Sequence, residues 1–370
     1  MESDPGGAQT ALRALVSGIN KLSESDIERF LSGTPELQGR FFRVILSKDA
    51  VSAGASGGIT LFELQTDVPG YSGSYVLRYD IGSESIFSQT ALRDDFDVMR
   101  ATRSHGIPAP EAMWLDDGVM GGEPALIMRR AEGLAPNINY LHEGPFATAA
   151  PSLRGVMIRD FVALSAKLHR LPLAQLGLRS LQTRGVGEHF LDREIGWTQA
   201  ELHKRFPEIE TADERAELHA EMRSTLDRAA DWLRDNAPRH REPAIVHGDY
   251  TLANVMFAPD GSVAALLDWE LCHEGLPEED LSYAEFSARG RRRQGAVDFP
   301  SLAELREMYE EAAGVAPTDW AYAAVLSSFR ITTWAALGTR RLPREHWDFQ
   351  RTMWERFSEA LEDALASASV

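Results

Sequence analysis

Residues 245 to 270 read IVHGDYTLANVMFAPDGSVAALLDWE. This stretch places His247, Asp249, Asn254, Asp268 and Glu270, which are residue types that bind metals or accept protons, among apolar residues that favour burial. The segments NVMF and VAALLDW flank APDG, in which proline and glycine stand where a tight turn needs them. The stretch therefore predicts a polar loop that leads into a small β-hairpin.

The polar residues of this stretch form the pattern H-x-D-x-x-x-x-N, followed by an aspartate at the end of the second hairpin strand. The hairpin is expected to bring Asn254 beside Asp268, and their oxygens are hard ligands of the kind that Mg²⁺ prefers. Asp249, across from them, could accept a proton from a hydroxyl group. Each residue alone would be ordinary turn chemistry. Their combined spacing predicts a phosphoryl-transfer site, where positioning and charge neutralisation supply most of the catalysis.

The bulk composition is that of a folded, enzyme-sized protein. The 370 residues are 44% hydrophobic and 25% charged, and the chain is long enough for two domains or two lobes. A formal net charge of -18 argues against nucleic-acid binding, which needs a basic face. Because the start has no signal-peptide pattern and the apolar runs are too short to span a bilayer, we expect a cytoplasmic protein without a membrane partner. The lone Cys272 excludes an internal disulfide framework.

Strand patterns dominate the first third of the chain. Short β-rich runs alternate with turns rich in glycine and serine, as in an antiparallel meander. These runs are residues 42–47, 59–66 and 74–79, with a last strand at 125–128. A short helix, which Ser23 or Ser25 would cap, precedes them, and a helix with Leu92, Phe96 and Met99 on one face follows the third run.

From about residue 150 the apolar residues recur at helical spacing. The clearest stripes are Met157, Phe161, Leu164 and Leu168, then Met222, Leu226, Ala229 and Leu233. We therefore predict an α+β chain of two lobes. A small antiparallel-β lobe covers residues 1–128, of which 1–10 are expected to be loose, and a larger, mainly helical lobe covers 129–370. The segment from Trp320 to Leu337 is expected to be a core helix.

The motifs resemble one known family. HGDYTLANVMF followed by LLDWE resembles the catalytic and metal motifs of the aminoglycoside phosphotransferase family, which shares the protein-kinase-like fold. The resemblance extends across most of the chain. It is strongest to the branch related to the kinase-like domain fused to some acyl-CoA dehydrogenases, through YVLR at residues 75–78 and DFDVMR at 95–100.

The resemblance implies roles for individual residues of the helical lobe. Asp249 corresponds to the catalytic base, and Asn254 and Asp268 correspond to the Mg²⁺ ligands. His247 would support the loop, and Glu270 is a second-rank candidate ligand after the metal-binding aspartate. Asp280, further along the chain, corresponds to the residue that is expected to support the catalytic loop.

The resemblance also implies a nucleotide site in the β lobe. Arg78 would take the place of the usual phosphate-binding lysine, with Asp95 as its partner on the following helix. The glycine-rich run at residues 52–60 would cover the phosphates, and the connector would line the adenine pocket with backbone groups. The residues concerned are Gly54, Ser56, Gly57 and Gly58 in the run and Ile127, Met128, Arg129 and Arg130 in the connector.

Together these features predict an O-phosphotransferase that moves the γ-phosphate of ATP or GTP, with Mg²⁺, to a hydroxyl group of a small molecule. The acceptor would be an aminoglycoside-like compound or an endogenous hydroxylated metabolite such as a hydroxyacyl thioester. The alternative is a nucleotide-binding pseudo-kinase that acts as a sensor or partner module, and a purely structural interaction protein is a third reading. Neither the oligomeric state nor the choice between ATP and GTP follows from the sequence.

Several positions depart from the family pattern or carry clustered charge. Arg78 replaces a lysine, Asp95 is one methylene shorter than the usual glutamate and so predicts a weaker or water-bridged ion pair, and Leu276 removes a polar contact. The acidic run Glu274, Glu278 and Glu279 is interpreted as a solvated face. The basic run from Arg289 to Arg293 is interpreted as an exposed loop, with capture of an anionic acceptor group as the functional alternative.

Overall fold

The computed structural model describes residues 22–53, 57–80, 92–118, 120, 124–179, 181, 185–205, 216–292, 294–339 and 347–368. The chain divides into two compact units. The first unit draws its described residues from Met1–Arg100, Pro110–Ala131 and Leu342–Phe349. The second draws them from Ala101–Ala109, Glu132–Arg341 and Gln350–Val370.

The first unit is built on a five-stranded antiparallel sheet of order β1-β2-β3-β5-β4. Its strands are β1 (Phe42–Ala53), β2 (Gly57–Thr66), β3 (Gly73–Asp80), β4 (Ala112–Asp116) and β5 (Ala125–Arg129). The predicted meander and last strand are therefore confirmed. Helix α1 (Glu24–Leu31) precedes the sheet, and Ser23 and Asp26 form a reciprocal capping box at its start.

The core of this unit follows from the alternation of side chains along the strands. Phe62 and Leu64 in β2 and Tyr75 and Leu77 in β3 are buried, because residues two apart share one face of a strand. The rings of Phe62 and Tyr75 stack with their centroids 5.4 Å apart. This apolar layer supports β3, which carries Arg78 at its end.

Two features of the first unit differ from the sequence-based prediction. In α2 (Leu92–Ser104), Asp95 is buried whereas Phe96 is only partly buried, so the face turned inward includes the carboxylate that pairs with Arg78. Strand β4 was not predicted, because its five residues follow a proline-rich turn and are too few to show a clear period.

The second unit is mainly helical, as predicted. Its helices are α3 (Gly144–Thr148), α4 (Pro151–His169), α5 (Phe190–Arg205), α6 (Ala216–Asp235), α7 (Glu278–Arg291), α8 (Leu302–Ala313), α9 (Trp320–Thr339) and most of α10 (Trp347–Ala368). Both predicted apolar stripes, on α4 and α6, are buried along their whole length. The described part of α9 is largely buried, which confirms that it is a core helix.

Short strands interrupt these helices between residues 244 and 275. Strands β7 (Val255–Phe257) and β8 (Val263–Leu266) form the predicted antiparallel hairpin. Strands β6 (Ala244–Val246) and β9 (His273–Gly275) pair on either side of it and were not predicted. Because β6 precedes the polar loop and β9 follows the hairpin, their pairing joins the two ends of this segment by hydrogen bonds.

The two charged runs differ from the solvated segments that were expected. Glu274, Glu278 and Glu279 are buried. Glu274 and Glu278 are ion-paired with Arg193 and Arg241, and Glu279 is hydrogen-bonded to His273. In the basic run, Arg289 and Arg291 belong to the last turn of α7 and not to a loop, while Arg293 lies outside the described residues. In the part of the chain that the structure describes, no helix is long and apolar enough to cross a membrane.

Candidate active site

The loop between β6 and β7 is anchored by Asp280, in the first turn of α7. Its Oδ2 accepts the main-chain N–H of His247 and its Oδ1 accepts that of Gly248, both at 2.9 Å. His169 Nε2, from the end of α4, lies 2.9 Å from the same carboxylate. Burial raises the pKa of Asp280, but the hydrogen bond and charge of His169 and the contacts with His247 outweigh it and lower the pKa below 3.8. The carboxylate thus stays ionised and holds two successive peptide groups.

Gly248 lets the loop turn at this point. It adopts a φ of +81°, a conformation that favours glycine, and a Cβ there would lie 2.1 Å from the carbonyl oxygen of Leu271. Only a residue without a side chain fits between Leu271 and the adjacent guanidinium of Arg330. The direction of the next side chain, that of Asp249, is therefore fixed by this turn.

His247 supports the loop through both nitrogens of its ring. Nε2 lies 2.8 Å from the carbonyl oxygen of Leu267, and Nδ1 lies 3.3 Å from the main-chain nitrogen of Asp249. Because a carbonyl only accepts and an N–H only donates, Nε2 carries the proton and Nδ1 accepts. The ring is fully buried beside Trp269, with centroids 4.9 Å apart. His247 thus links the loop to the end of the hairpin.

Asp249 and Asn254 are joined directly. The Asn254 side-chain amide donates to the Asp249 carboxylate at 2.8 Å and to the Asp249 carbonyl at 2.9 Å. The hydroxyl of Tyr283, one turn after Asp280 in α7, hydrogen-bonds to the same carboxylate. Burial, followed by the charge of Asp268, raises the pKa of Asp249, which makes it a better proton acceptor than a free aspartate.

Asp268 is brought to this group by the hairpin. The main-chain N–H of Leu267 donates to the carbonyl oxygen of Asn254 at 2.8 Å, which places the end of the second strand beside the start of the first. Asp268 itself has a φ of +63°, the one positive φ of a non-glycine residue in the described ranges. Residues in this conformation are rare and concentrate at functional sites. Glu270, two positions later, is only partly buried.

The chemistry of these side chains fits a magnesium ion. Because the nitrogen of the Asn254 amide donates to Asp249, its oxygen is directed elsewhere, and this oxygen and the Asp268 carboxylate are the two groups that would bind the ion. In the described residues, no three histidine, cysteine or acidic side chains cluster as they would in an all-protein metal cage. Mg²⁺ needs no such cage, since it takes one or two carboxylates and fills its other positions with waters and substrate phosphates.

In the first unit, Arg78 and Asp95 form a direct ion pair. Arg78 Nη1 lies 3.2 Å from Asp95 Oδ2, and both side chains are buried. Of the two predicted forms, a weaker or a water-bridged pair, the direct contact excludes the water-bridged one. Gly57 and Gly58 begin β2 opposite Asp80 and Tyr79, so the glycine-rich run leads directly to Arg78. Gly54 and Ser56 lie outside the described residues.

The connector residues are placed differently from one another. The side chain of Ile127 is buried in the sheet core and that of Met128 is partly buried. Arg129 pairs with Glu111 at 2.9 Å and lies over the ring of Tyr75. Arg130 is exposed.

The backbone of the connector is largely used within the sheet. The main-chain N–H of Arg129 donates to Glu111 and that of Arg130 to Ser74, each at 2.9 Å. A nucleotide base would therefore have to bond the carbonyl groups or the backbone beyond Arg130.

Three residues near the loop were missed by the reading of the sequence. His169 was not considered, although it directly follows Leu168, the last residue of a predicted apolar stripe, and is itself buried. Tyr283 follows Asp280 by one turn, which is the signal that would have placed it near Asp249. Arg330 is fully buried in α9, where its Nε lies 2.8 Å from Glu194 and it packs against Gly248. No local pattern distinguishes such an arginine from a surface residue.

The first unit has a five-stranded antiparallel sheet and a buried Arg-Asp pair. The second unit is helical, with an H-G-D loop and an Asn-Asp hairpin. These are the features of a phosphotransferase with a protein-kinase-like fold. The profile of the family described as "Phosphotransferase enzyme family" matches residues 56–326. The chain therefore belongs to this phosphotransferase family.

Curated relatives include two acyl-CoA dehydrogenase family members. Member 10 of Mus musculus is 27% identical over 271 residues, which are 69% of this chain and 23% of that protein. Member 11 of Rattus norvegicus is 26% identical over 279 residues, which are 70% of this chain and 33% of that protein. The chain thus spans about a quarter to a third of the length of the relatives it matches. This agrees with the resemblance to the kinase-like domain of such proteins.

Solved structures share the fold. A putative aminoglycoside phosphotransferase from Ralstonia eutropha JMP134 superimposes with a TM-score of 0.63 at 22% identity, covering 94% of this chain and 99% of that one. The ethanolamine kinase of Plasmodium vivax gives 0.60 at 12% identity, covering 96% and 95%. The ADP-bound aminoglycoside phosphotransferase APH(2'')-Ib gives 0.53 at 12% identity, covering 92% and 99%. At these identities the similarity establishes the fold.

Proposed function

We propose that this chain transfers the γ-phosphoryl group of ATP or GTP to a hydroxyl group of a small-molecule acceptor. The observation that carries the proposal is the junction of Asp249, Asn254 and Asp268. Asp249, whose pKa is raised, accepts a hydrogen bond from the Asn254 amide nitrogen, which leaves the amide oxygen for a metal ion. The carboxylate of Asp268 lies close enough to contribute to the raised pKa of Asp249. A base beside two oxygen ligands is the arrangement that phosphoryl transfer requires.

The reaction assigns each group one task. Asp249 orients the acceptor hydroxyl and takes its proton as the oxygen forms a bond to the γ-phosphorus. The bond between that phosphorus and the β–γ bridging oxygen breaks, and the leaving diphosphate keeps the electron pair. Asn254 and Asp268 would hold Mg²⁺, which supplies charge neutralisation at the phosphates. Glu270 is proposed as a further ligand of lower rank.

The nucleotide-binding residues are proposed in the first unit. Arg78 would neutralise phosphate charge, and its ion pair with Asp95 keeps its guanidinium in one orientation. Gly57 and Gly58 would let the backbone approach the phosphates, since neither has a side chain. That a structural neighbour is described as ADP-bound supports a nucleotide as the donor.

The acceptor is proposed only as a class. Structural neighbours are named as aminoglycoside phosphotransferases and as an ethanolamine kinase, so hydroxylated small molecules are the shared feature. For this chain we consider an aminoglycoside-like compound or an endogenous hydroxylated metabolite, such as a hydroxyacyl thioester. A cytoplasmic location stays a prediction.

A pseudo-kinase is the second candidate, and the arginine at position 78 favours it. Arginine clamps phosphate through a planar fork where lysine acts as a point charge, so the two are not equivalent at a phosphate site. Such a module would bind nucleotide without transferring phosphate. The retention of Asp249, Asn254 and Asp268 argues for the enzyme.

The test is acceptor-stimulated release of ADP or GDP in the presence of Mg²⁺, with a panel of hydroxylated metabolites and aminoglycosides. We expect Asp249→Asn to lower the rate by about 10²- to 10⁴-fold, the usual contribution of a general base. Asp260→Asn is the matched control, because Asp260 lies in the exposed turn of the same hairpin, where its carboxylate accepts from Ser262.

Both variants should still bind nucleotide, as measured by thermal shift with ATP and with GTP. Equal turnover by wild type and Asp249→Asn would refute the assignment of the base. Nucleotide binding without transfer to any acceptor would favour the pseudo-kinase. Absence of nucleotide binding would revive the structural protein.

A further inference from the structure

One face of α7 carries four polar residues. This row begins at Asp280, which holds the loop between β6 and β7, and continues to the end of the helix. Asp280, Tyr283, Ser287 and Arg291 are three or four positions apart, so they form one stripe along the helix. Asp280 holds the loop, and Tyr283 hydrogen-bonds to Asp249. The last member, Arg291, has no part in the phosphoryl-transfer machinery proposed above.

Arg291 is held in a defined orientation and is only partly buried. Its Nε donates to the carbonyl oxygen of Ile138 at 3.0 Å, and its Nη1 donates to that of Ser287 at 3.1 Å. Its guanidinium carbon lies 5.6 Å from the centre of the Tyr140 ring. Within the described residues, Nη2 has no hydrogen-bond partner, so one donor edge of a pre-oriented fork is left for a ligand.

Arg291 and Asp249 both influence the pKa of Tyr140, in opposite directions. Burial raises the pKa of Tyr140, Arg291 lowers it, and Asp249 raises it. The carboxylate nearest in sequence, Glu285, is held by Arg289 at 2.6 Å and so is already neutralised by another arginine. Among the described residues, no acidic side chain forms an ion pair with Arg291.

The length of α7 sets the span of a ligand that would touch both groups. Tyr283, which marks the position of Asp249, and Arg291 are eight positions apart, or about 12 Å along the helix at 1.5 Å per residue. A molecule with its hydroxyl at Asp249 and a second group at Arg291 would have to be on the order of 10 Å long. A very short hydroxy acid is too short for this.

We propose that Arg291 binds an anionic group of the acceptor. The acceptor class is then a hydroxylated carboxylate or phosphate whose anion lies several bonds from the reacting hydroxyl. This inference rests on the proposed function. It selects against polycationic acceptors, since a fixed guanidinium near the base repels them and pairs with carboxylate or phosphate through parallel hydrogen bonds.

The experiment uses matched linear probes of increasing chain length. The four series are ω-hydroxy carboxylates, ω-hydroxyalkyl phosphates, neutral α,ω-diols and cationic ω-amino alcohols, which begin with ethanolamine. Acceptor-stimulated ADP release is measured for each with the full chain. We expect kcat/KM for at least one anionic series to exceed that for the diols by about tenfold or more. One charge-assisted hydrogen bond gives a ratio of this size. The two anionic series show which anion is preferred, and the rate should peak at intermediate length.

Variants separate binding from support of the fold. Arg291→Gln should remove the preference for anions while leaving kcat/KM for the diols and the affinity for nucleotide unchanged. Arg291→Lys, which keeps the charge but not the fork, should retain part of the preference. Arg306→Gln is the control. Arg306 is an exposed residue of α8 paired with Glu310, and this substitution removes the same formal charge as Arg291→Gln. If Arg291→Gln does not fold, the wild-type profile and Arg291→Lys still decide the question.

The outcomes distinguish this inference from the proposed function. Turnover of diols or amino alcohols at rates equal to or above those of both anionic series would overturn the role of Arg291 and leave the phosphotransferase standing. An equal fall for all four series in Arg291→Gln would make Arg291 a structural residue. No acceptor-stimulated release with any probe, with the aminoglycoside panel also negative, would overturn both.

Discussion

The carboxylate of Asp280 is the single group on which the geometry of the catalytic loop most depends. It accepts hydrogen bonds from the main chain of His247 and Gly248 and from His169, all at 2.9 Å. Replacing it with alanine leaves two buried N–H groups and one imidazole without an acceptor. Asp249 follows directly on this loop, so stability and catalysis should fall together.

The expected loss follows from counting these groups. A buried donor left without an acceptor costs about 1–3 kcal/mol, so Asp280→Ala should lower the free energy of unfolding by about 4 kcal/mol or more. This is a large part of the roughly 5–15 kcal/mol that stabilises a typical domain. Asp280→Asn keeps one acceptor oxygen but turns an amide N–H₂ towards the other donor, so it should cost about 2 kcal/mol.

The effect should depend on pH in a definite direction. The pKa of Asp280 in the folded chain lies below 3.8, its ordinary value in an unfolded chain. A depressed carboxyl pKa contributes stability that is fully present above the ordinary value and is lost as the pH falls through the folded value. The difference in stability between wild type and Asp280→Asn should therefore be constant near neutrality and narrow below pH 3.8.

Urea unfolding at several pH values, followed by circular dichroism, measures these differences. Asp260→Asn, at an exposed turn, is the control and should change stability by less than about 1 kcal/mol. Turnover should fall on the order of 10²-fold in Asp280→Asn even where the protein is folded, because Asp249 is displaced. Unfolding of Asp280→Ala at the same urea concentration as wild type, or a stability difference between wild type and Asp280→Asn that grows in acid, would contradict this role of Asp280.

Two further predictions concern the first unit. Gly58→Ala should destabilise the chain by about 1–3 kcal/mol, because its Cβ would lie 2.1 Å from the ring of Tyr79; thermal unfolding tests this, with Gly338→Ala, where nothing lies within 4 Å, as the control. Arg78→Gln should weaken ATP binding in calorimetry by roughly tenfold, whereas Arg78→Lys should lose less since the charge remains. Unchanged affinity in Arg78→Gln would show that Arg78 serves only its ion pair with Asp95.

Much of the candidate site could be predicted because it is local in sequence. The turn at APDG and the alternation of its flanks determine the hairpin, and the hairpin brings Asn254 and Asp268 together whatever surrounds it. The same holds for the β-rich runs and the helical stripes, whose spacing depends on the geometry of a single element. These features predicted the fold class and the closeness of the residues proposed as base and metal ligands, whereas the family was recognised from the resemblance of its motifs.

Contacts between distant segments could not be predicted in this way. The acidic run was read as solvated, yet Glu274 and Glu278 are buried because Arg193 and Arg241 come from other elements to neutralise them. A charge pattern carries no information about a partner elsewhere in the chain, and burial of an acid depends on that partner.

The residues proposed to perform the chemistry could be found in the sequence, because their spacing along one loop and hairpin is a local property. How these residues are held, and which groups face them, depends on contacts between distant segments of the folded chain. Asp280 bonds the loop from a helix further along the chain, and the end of that helix carries Arg291, whose Nη2 bonds no other described residue. Packing of α7 against the loop selected this arrangement, and packing is a property of the whole folded unit.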